Sequence, residues 1–346
     1  MYGKYIYGII DSGNETKFNI SGLNGSGPVY SIAHEDLSCV VSNYFGKEFN
    51  SLSKEGVIRC LLAHQVVVEH AMREHTVLPV KFGTALATSD EVCNLLSQGH
   101  SQFVDALAWI QDKVEIEVAA TWDTKQILQE ISTEPEIFLA SKAIAGRGQP
   151  ITQEQIGLGR MVKASMDKHR SNYREQMINF LASVAIDVQP NPLVSDEMVM
   201  NVAFLVDKSR QEEFDDCVKQ LNDLFHNQIK FRIIGPLPPY TFATVEVTRP
   251  SLEKIEEARR LLHLGKTFSE PQVRKAYRYL AAESHPDYKA GDELELAKVQ
   301  FAQLHQASEM LIAYCRGQGE SNGNLLVNIR RQRDEEIQHL FAEIGV

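Results

Sequence analysis

The sequence predicts an α+β fold in two successive parts, followed by a wholly helical segment. Three observations carry this expectation. Up to Pro250, short runs of period two interleave with amphipathic runs of helical period. The stiff turn GPLPPY (235–240) joins strands, not helices. Past Pro250 every apolar run has helical spacing.

GKYIYGIID (3–11) places Tyr5, Tyr7 and Ile9 on one face and reads as a strand. SGLNGSGP (21–28) is a turn-rich loop, and VYSIAH and LSCVVSNY are two strands around a tight turn at HED. Residues 53–75 are helical, with Val57, Leu61, His64, Val68 and Ala71 on one stripe. In VLPVKFG (77–83) the proline favours an edge strand or a first strand position. Residues 89–111 form a second amphipathic helix, and KVEIEVAATWD (113–123) alternates as a last strand. Its Glu115 and Glu117 read as a solvated face. Strands and helices in this order suggest a ferredoxin-like α+β domain over 1–124.

A second α+β domain follows over 125–249. It has one long helix (152–185), a strand (197–207), a helix (210–227) and two strands (229–235, 241–247) around GPLPPY. Three helices come next, at 251–263, 270–284 and 293–315. After the loop GQGESNGN, an amphipathic tail helix is expected over 325–344, carrying Leu326, Ile329, Ile337, Leu340 and Ile344.

The 346 residues suit roughly two to three domains. Apolar residues make up 43%, enough for ordinary cores, and no run approaches the ~20 apolar residues of a membrane span. The start, MYGKYIYGIID, lacks the apolar region and cleavage site of a signal peptide. A formal charge of -11 argues against nucleic-acid binding, whose affinity rests on cationic contacts to phosphate. The five cysteines (39, 60, 93, 217, 315) have neither metal-ligand nor redox spacing, so a reduced, cytoplasmic setting is expected.

A search for chemistry finds little. The glycines of GLNGSGP precede a proline and a strand, so they are a turn and not a phosphate cradle. HQVVVEHAMREH offers His64, Glu69, His70 and His75. Spacings of five and six do not stack two histidines one turn apart as a zinc helix requires, so a helix surface is the simpler reading. No serine or cysteine sits in a nucleophile elbow. No catalytic residue, cofactor or metal is assigned.

Two stretches are more idiosyncratic. VLPVKFGT carries Pro79, Lys81, Phe82, Gly83 and Thr84; GPLPPYTF carries Gly235, Pro236, Pro238, Pro239 and Tyr240. Taken singly, each reads as a strand end or a rigid turn. Together with YIYGII, SCVVS, the helix bearing His64 and Glu69, and KVEIEVAATWD, they resemble the GvpL/GvpF family of gas vesicle proteins over about residues 1–248. The family usually has Arg-Phe-Gly-Thr and Gly-Pro-Trp-Pro-Pro-Tyr; Lys81 and Leu237 depart from it, and lysine lacks the bidentate fork of arginine. The resemblance implies a non-enzymatic assembly factor or minor component of gas vesicles, with the apolar shell protein GvpA, and other gas vesicle proteins, as partners. A structural protein retained in the shell is the alternative.

Residues 250–316 resemble the J-domain of DnaJ-type co-chaperones. EEARRLLHLG is similar to its first helix, EPQVRKAYRYLAAESHPDY to the second helix and loop, and AKVQFAQLHQASEML to the third helix. Val273, Tyr277, Leu280 and Ala281 form one stripe and Phe301, Leu304 and Leu311 the facing one, which suits an antiparallel hairpin. The resemblance implies a contact with a DnaK-type chaperone through Arg274, Lys275, Arg278, His285, Pro286 and Asp287. Glu283-Ser284 stands in place of a basic-aromatic pair, and Ser308 in place of a tyrosine. Whether the His-Pro-Asp tripeptide is a chaperone contact or only a turn stays open on sequence alone, as does a third function, a general co-chaperone.

Overall fold

The computed structural model describes residues 3–44, 52–145, 153–225, 228–283, 292–317 and 325–330. They divide into two compact units, Met1–Ala106 with Val245–Ile329, and one built on Leu107–Thr244.

The first unit opens with four strands: β1 (Gly3–Ile10), β2 (Lys17–Ser21), β3 (Pro28–His34) and β4 (Leu37–Tyr44). Helix α1 (Lys54–Ala71), β5 (Val77–Pro79), β6 (Ala85–Leu86) and α2 (Ser89–Ile110) follow. The sheet order is β2-β3-β4-β1-β5, with β6 also on β1, and every pair is antiparallel. β1 is central, which is why Tyr5 to Ile10 include no exposed residue. Glu35 takes φ 56° in the two-residue turn between β3 and β4, where the paired ends are His34 and Leu37. β5 lies at the sheet edge, the place its proline requires. Ser53 caps α1, its hydroxyl accepting from the Gly56 N–H.

β7 (Lys113–Trp122) is not the last strand of this sheet. It pairs along its length with β9 (Met198–Asp207) on one side and β10 (Ile229–Leu237) on the other. Between β7 and β9 lie α3 (Thr124–Ser132), α4 (Pro135–Ile144), α5 (Gln153–Ala182) and β8 (Asp187–Pro190); α6 (Gln211–Leu224) joins β9 to β10. The order β10-β7-β9-β8, all antiparallel, is the β-α-β-β-α-β connectivity of a ferredoxin-like unit. The α+β class holds, and the structure places this connectivity in the second sheet, whereas four strands precede the first helix in the first. Period-two patterning marks β7 as a strand but carries no information about its partner.

After β11 (Thr244–Thr248) come α7 (Leu252–Leu261), α8 (Glu270–Glu283) and α9 (Asp292–Gly317). Their shared core is Ile255, Ala258, Leu262, Val273, Leu304, Ala307, Leu311 and Ile312, with Tyr277 and Leu280 packed against it. The Tyr277 ring lies 6.4 Å from Phe301 and 5.9 Å from His305. Both anticipated stripes therefore meet. The expected tail helix is corrected where it is described: Leu326–Arg330 is a strand, β12, paired with β11. Leu326 and Ile329 fit helical spacing, but five residues cannot discriminate the period, and β11 supplies backbone partners. The rest of that helix, with Ile337, Leu340 and Ile344, lies outside the described residues. Among the described residues, no helix is long and apolar enough to cross a membrane.

Candidate functional site

The Pro79–Thr84 stretch turns about a buried hydroxyl. The Val80 N–H donates to the Tyr7 carbonyl at 3.0 Å and the Lys81 N–H to the Val245 carbonyl at 2.8 Å, so the chain leaves β5 against β11. Gly83, at φ 88°, donates its N–H to the Tyr5 hydroxyl at 3.0 Å. Thr84 closes the turn through its own hydroxyl, 2.6 Å from the Lys81 carbonyl. Phe82 packs edge-on to Tyr5 and His64, with centroids at 6.5 and 5.8 Å. Lys81, where the family has arginine, pairs through one nitrogen with Glu246 Oε1 at 3.1 Å.

His64 Nδ1 lies 2.9 Å from the Tyr5 hydroxyl. Burial holds this imidazole down to about 3, so it is neutral near pH 7. The Tyr5 hydroxyl thus accepts from the Gly83 N–H and shares a second hydrogen bond with His64 Nδ1. His70 and His75 pack edge-on to Phe18 at 6.4 and 6.2 Å. These histidines are packing groups. A different trio, Glu35, Asp36 and His100, brings ligand-type atoms within 4.8 Å of one another. It is a largely exposed ion pair: the hydrogen bond to Asp36 raises the His100 pKa and lowers that of Asp36. Sequence reading missed it because turn and helix lie far apart in the chain.

Protonating His64 requires unfolding or strain, which sets a pH dependence. Its folded pKa lies below the unfolded value, so its contribution to stability is complete above about pH 6.5 and falls as pH drops toward 3. Between pH 7 and 5 the loss from this residue is expected to be about 2 kcal/mol. Urea unfolding at both pH values, with His64→Gln as control, checks it; an equal slope in the variant contradicts it.

The second stretch folds around a carboxylate. Glu115 is fully buried on β7, and its two oxygens accept from the Thr241 N–H at 2.8 Å and the Thr241 hydroxyl at 2.7 Å. The solvated face expected for Glu115 and Glu117 is therefore wrong, since both are buried. The GPLPPYTF segment covers that face, which alternation within β7 could not reveal. Gly235, at φ 149°, has no room for a side chain: a Cβ would sit 2.9 Å from the Glu115 carbonyl oxygen. The Pro239 carbonyl accepts from both Phe242 and Ala243, at 3.1 and 2.9 Å. The Tyr240 N–H donates to Pro238 at 2.7 Å, and Phe242 packs with Ala203, Leu205 and Trp109. Pro236 and Gly235 are exposed; Leu237, Pro238 and Pro239 are buried. Both motifs are thus turns tightened around one buried polar group each.

On α8, Arg274, Lys275 and Arg278 are exposed, and Arg274 and Arg278 share a face at i and i+4. Arg274 Nη2 is held by Glu270 Oε1 at 2.7 Å, and Arg278 Nε donates to the Arg274 carbonyl at 3.3 Å. A groove of about 520 Å³ runs beside this helix, lined by Leu262, Leu264, Phe268, Lys275 and the exposed Tyr279. Ser308, in the place of a tyrosine, is buried on α9. His285, Pro286 and Asp287 lie outside the described residues.

The chain thus combines two α+β modules with a C-terminal helical segment whose exposed face carries Arg274, Lys275 and Arg278. The family described as "Gas vesicle synthesis protein GvpL/GvpF" matches residues 3–244, and the DnaJ domain matches residues 260–314. The chain belongs to the GvpL/GvpF family and carries a C-terminal DnaJ domain. Gas vesicle protein F of a Streptomyces species is 30% identical over 185 residues, 53% of this chain and 77% of the relative. Gas vesicle protein F of Microcystis aeruginosa is 24% identical over 249 residues, covering 70% of this chain and 98% of the relative. The crystal structure of GvpF from Anabaena superposes with a TM-score of 0.62 at 22% identity, over 70% of this chain and 98% of that one. The family ties the chain to gas vesicles.

Proposed function

We propose that this protein is a non-enzymatic assembly factor that binds the apolar shell protein GvpA, keeps it from aggregating, and recruits a DnaK-type chaperone to it. The observation that carries this reading is the union, in one chain, of the GvpL/GvpF module (3–244) with a DnaJ domain (260–314). A DnaJ domain on a structural brick would have nothing to do, whereas on a protein that handles an aggregation-prone subunit it supplies a chaperone to the client. Exposed apolar side chains fit an apolar partner: Leu139 is 66% and Phe138 44% exposed on α4, and Leu224 is 61% exposed on α6. Covering such area on association is worth about 25 cal/mol per Å² of apolar surface.

Co-expression tests the proposal. Shell protein produced with the full chain is expected in the supernatant, and shell protein produced alone in the pellet. Leu139→Asp with Phe138→Ser should return much of it to the pellet. Shell protein that precipitates equally with and without the chain sinks the assembly-factor reading. Recovery of the chain as a stoichiometric part of washed vesicles supports the shell-component alternative.

A further inference from the structure

We propose that β12 is a displaceable clasp: it fills the free edge of β11 in cis, anchors the far end of the DnaJ helices, and masks a site that accepts an extended apolar strand. One edge of β11 is already used. Val245 bridges Val80 in parallel, and its carbonyl accepts the Lys81 N–H at 2.8 Å. Backbone groups alternate sides along a strand, so those of Thr244 and Glu246 face the opposite edge, where β12 pairs. Without β12 that edge is a row of unpaired donors and acceptors, a ready template for strand addition.

β12 is not part of the family module, whose match ends at residue 244. It returns from beyond α9 to pair with the strand that precedes α7. Entry to and exit from the helical segment are thus brought to neighbouring strands, about 4.8 Å apart. The sequence of the clasp, Leu326-Val327-Asn328-Ile329-Arg330, is mainly apolar, and Leu325 just ahead of it is 3% exposed. Among the described residues the sheet has two strands plus a single bridge, so its hold is limited by pairing and not by a deep core. Cis attachment compensates, because a short tether gives an effective concentration near the millimolar range. The occupant that displaces β12 is an extended, β-branched apolar segment of a partner chain, similar in chemistry to the clasp itself.

The test uses the full chain with Val327→Pro and Asn328→Pro made separately, since the amide of one of these adjacent residues faces β11. Hydrogen exchange at the Thr244 and Glu246 amides, which face β12, is expected to rise by roughly tenfold or more in at least one variant, with Leu304–Leu311 on α9 unchanged. A labelled peptide of sequence LLVNIR should bind that variant and not the unaltered chain. Unchanged exchange at β11 in both variants overturns the clasp. Simultaneous loss of protection in α9 overturns it too, by making β12 part of the helical fold. Absence of peptide binding to the opened variant overturns the acceptor site. None of these readouts involves the shell protein, so failure here is separable from failure of the assembly role.

Discussion

Glu115→Ala is expected to destabilise the second unit by about 2–4 kcal/mol. Glu115 is 0% and Thr241 1% exposed, so the substitution leaves the Thr241 N–H and hydroxyl buried without their carboxylate acceptor. Hydrogen bonds to a charged acceptor contribute roughly 1.5–3 kcal/mol each, and the desolvation of the carboxylate offsets part of the pair. Glu115→Gln keeps the shape and one acceptor oxygen but turns an amide NH₂ toward a donor, so about half the loss is expected. Both tryptophans, Trp109 and Trp122, lie in this unit, which makes intrinsic fluorescence in urea a direct readout. A loss below about 0.5 kcal/mol for Glu115→Ala would mean that the cost of burying the charge cancels its hydrogen bonds.

Asp287→Asn is expected to abolish stimulation of a DnaK-type chaperone's ATPase while leaving the helical segment folded. The substitution keeps side-chain shape and removes the charge that takes a charge-assisted hydrogen bond from a partner cation. Around it, the exposed face of α8 predicts an order of effects. Arg274 is already engaged by Glu270, whereas Arg278 is exposed and has no carboxylate partner among the described residues. Charge reversal at Arg278 should therefore weaken the interaction more than reversal at Arg274, by roughly tenfold for each 1.4 kcal/mol lost. Glu283→Lys, at the end of α8, should strengthen it. Circular dichroism guards against unfolding. An unaltered chain that leaves the chaperone's turnover unchanged would reduce the tripeptide to a turn between helices.

The elements were largely legible in the sequence, because each is written by its own period. Phe214, Val218 and Leu221 on α6 could only be one helix face, and all three are buried. The DnaJ helices were equally plain: Val273 on one helix and Leu304 and Leu311 on another are local patterns that meet wherever the hairpin closes. The idiosyncratic turns were visible too, since proline and glycine restrict the backbone by themselves. What these turns enclose was not visible. Tyr5, His64 and Gly83 are separated by up to 78 positions, and Thr241 reaches Glu115 across 126.

Pairing partners were likewise undetermined. β7 has the alternation of a solvated edge, and only the approach of β9, β10 and the GPLPPYTF segment decides that both its glutamates are buried. β12 is the sharpest case, because five residues fit a helix or a strand equally and the free edge of β11 settles the choice. By itself the sequence determined most of the helices and strands, where the chain turns, and which families it resembles, since these depend on residues near one another. Tertiary structure alone decided which strand lies beside which, which carboxylates are buried, and how the helical segment is fastened at its far end. A strand's hydrogen bonds and a buried charge's partners come from residues distant in the chain, and no local pattern records them.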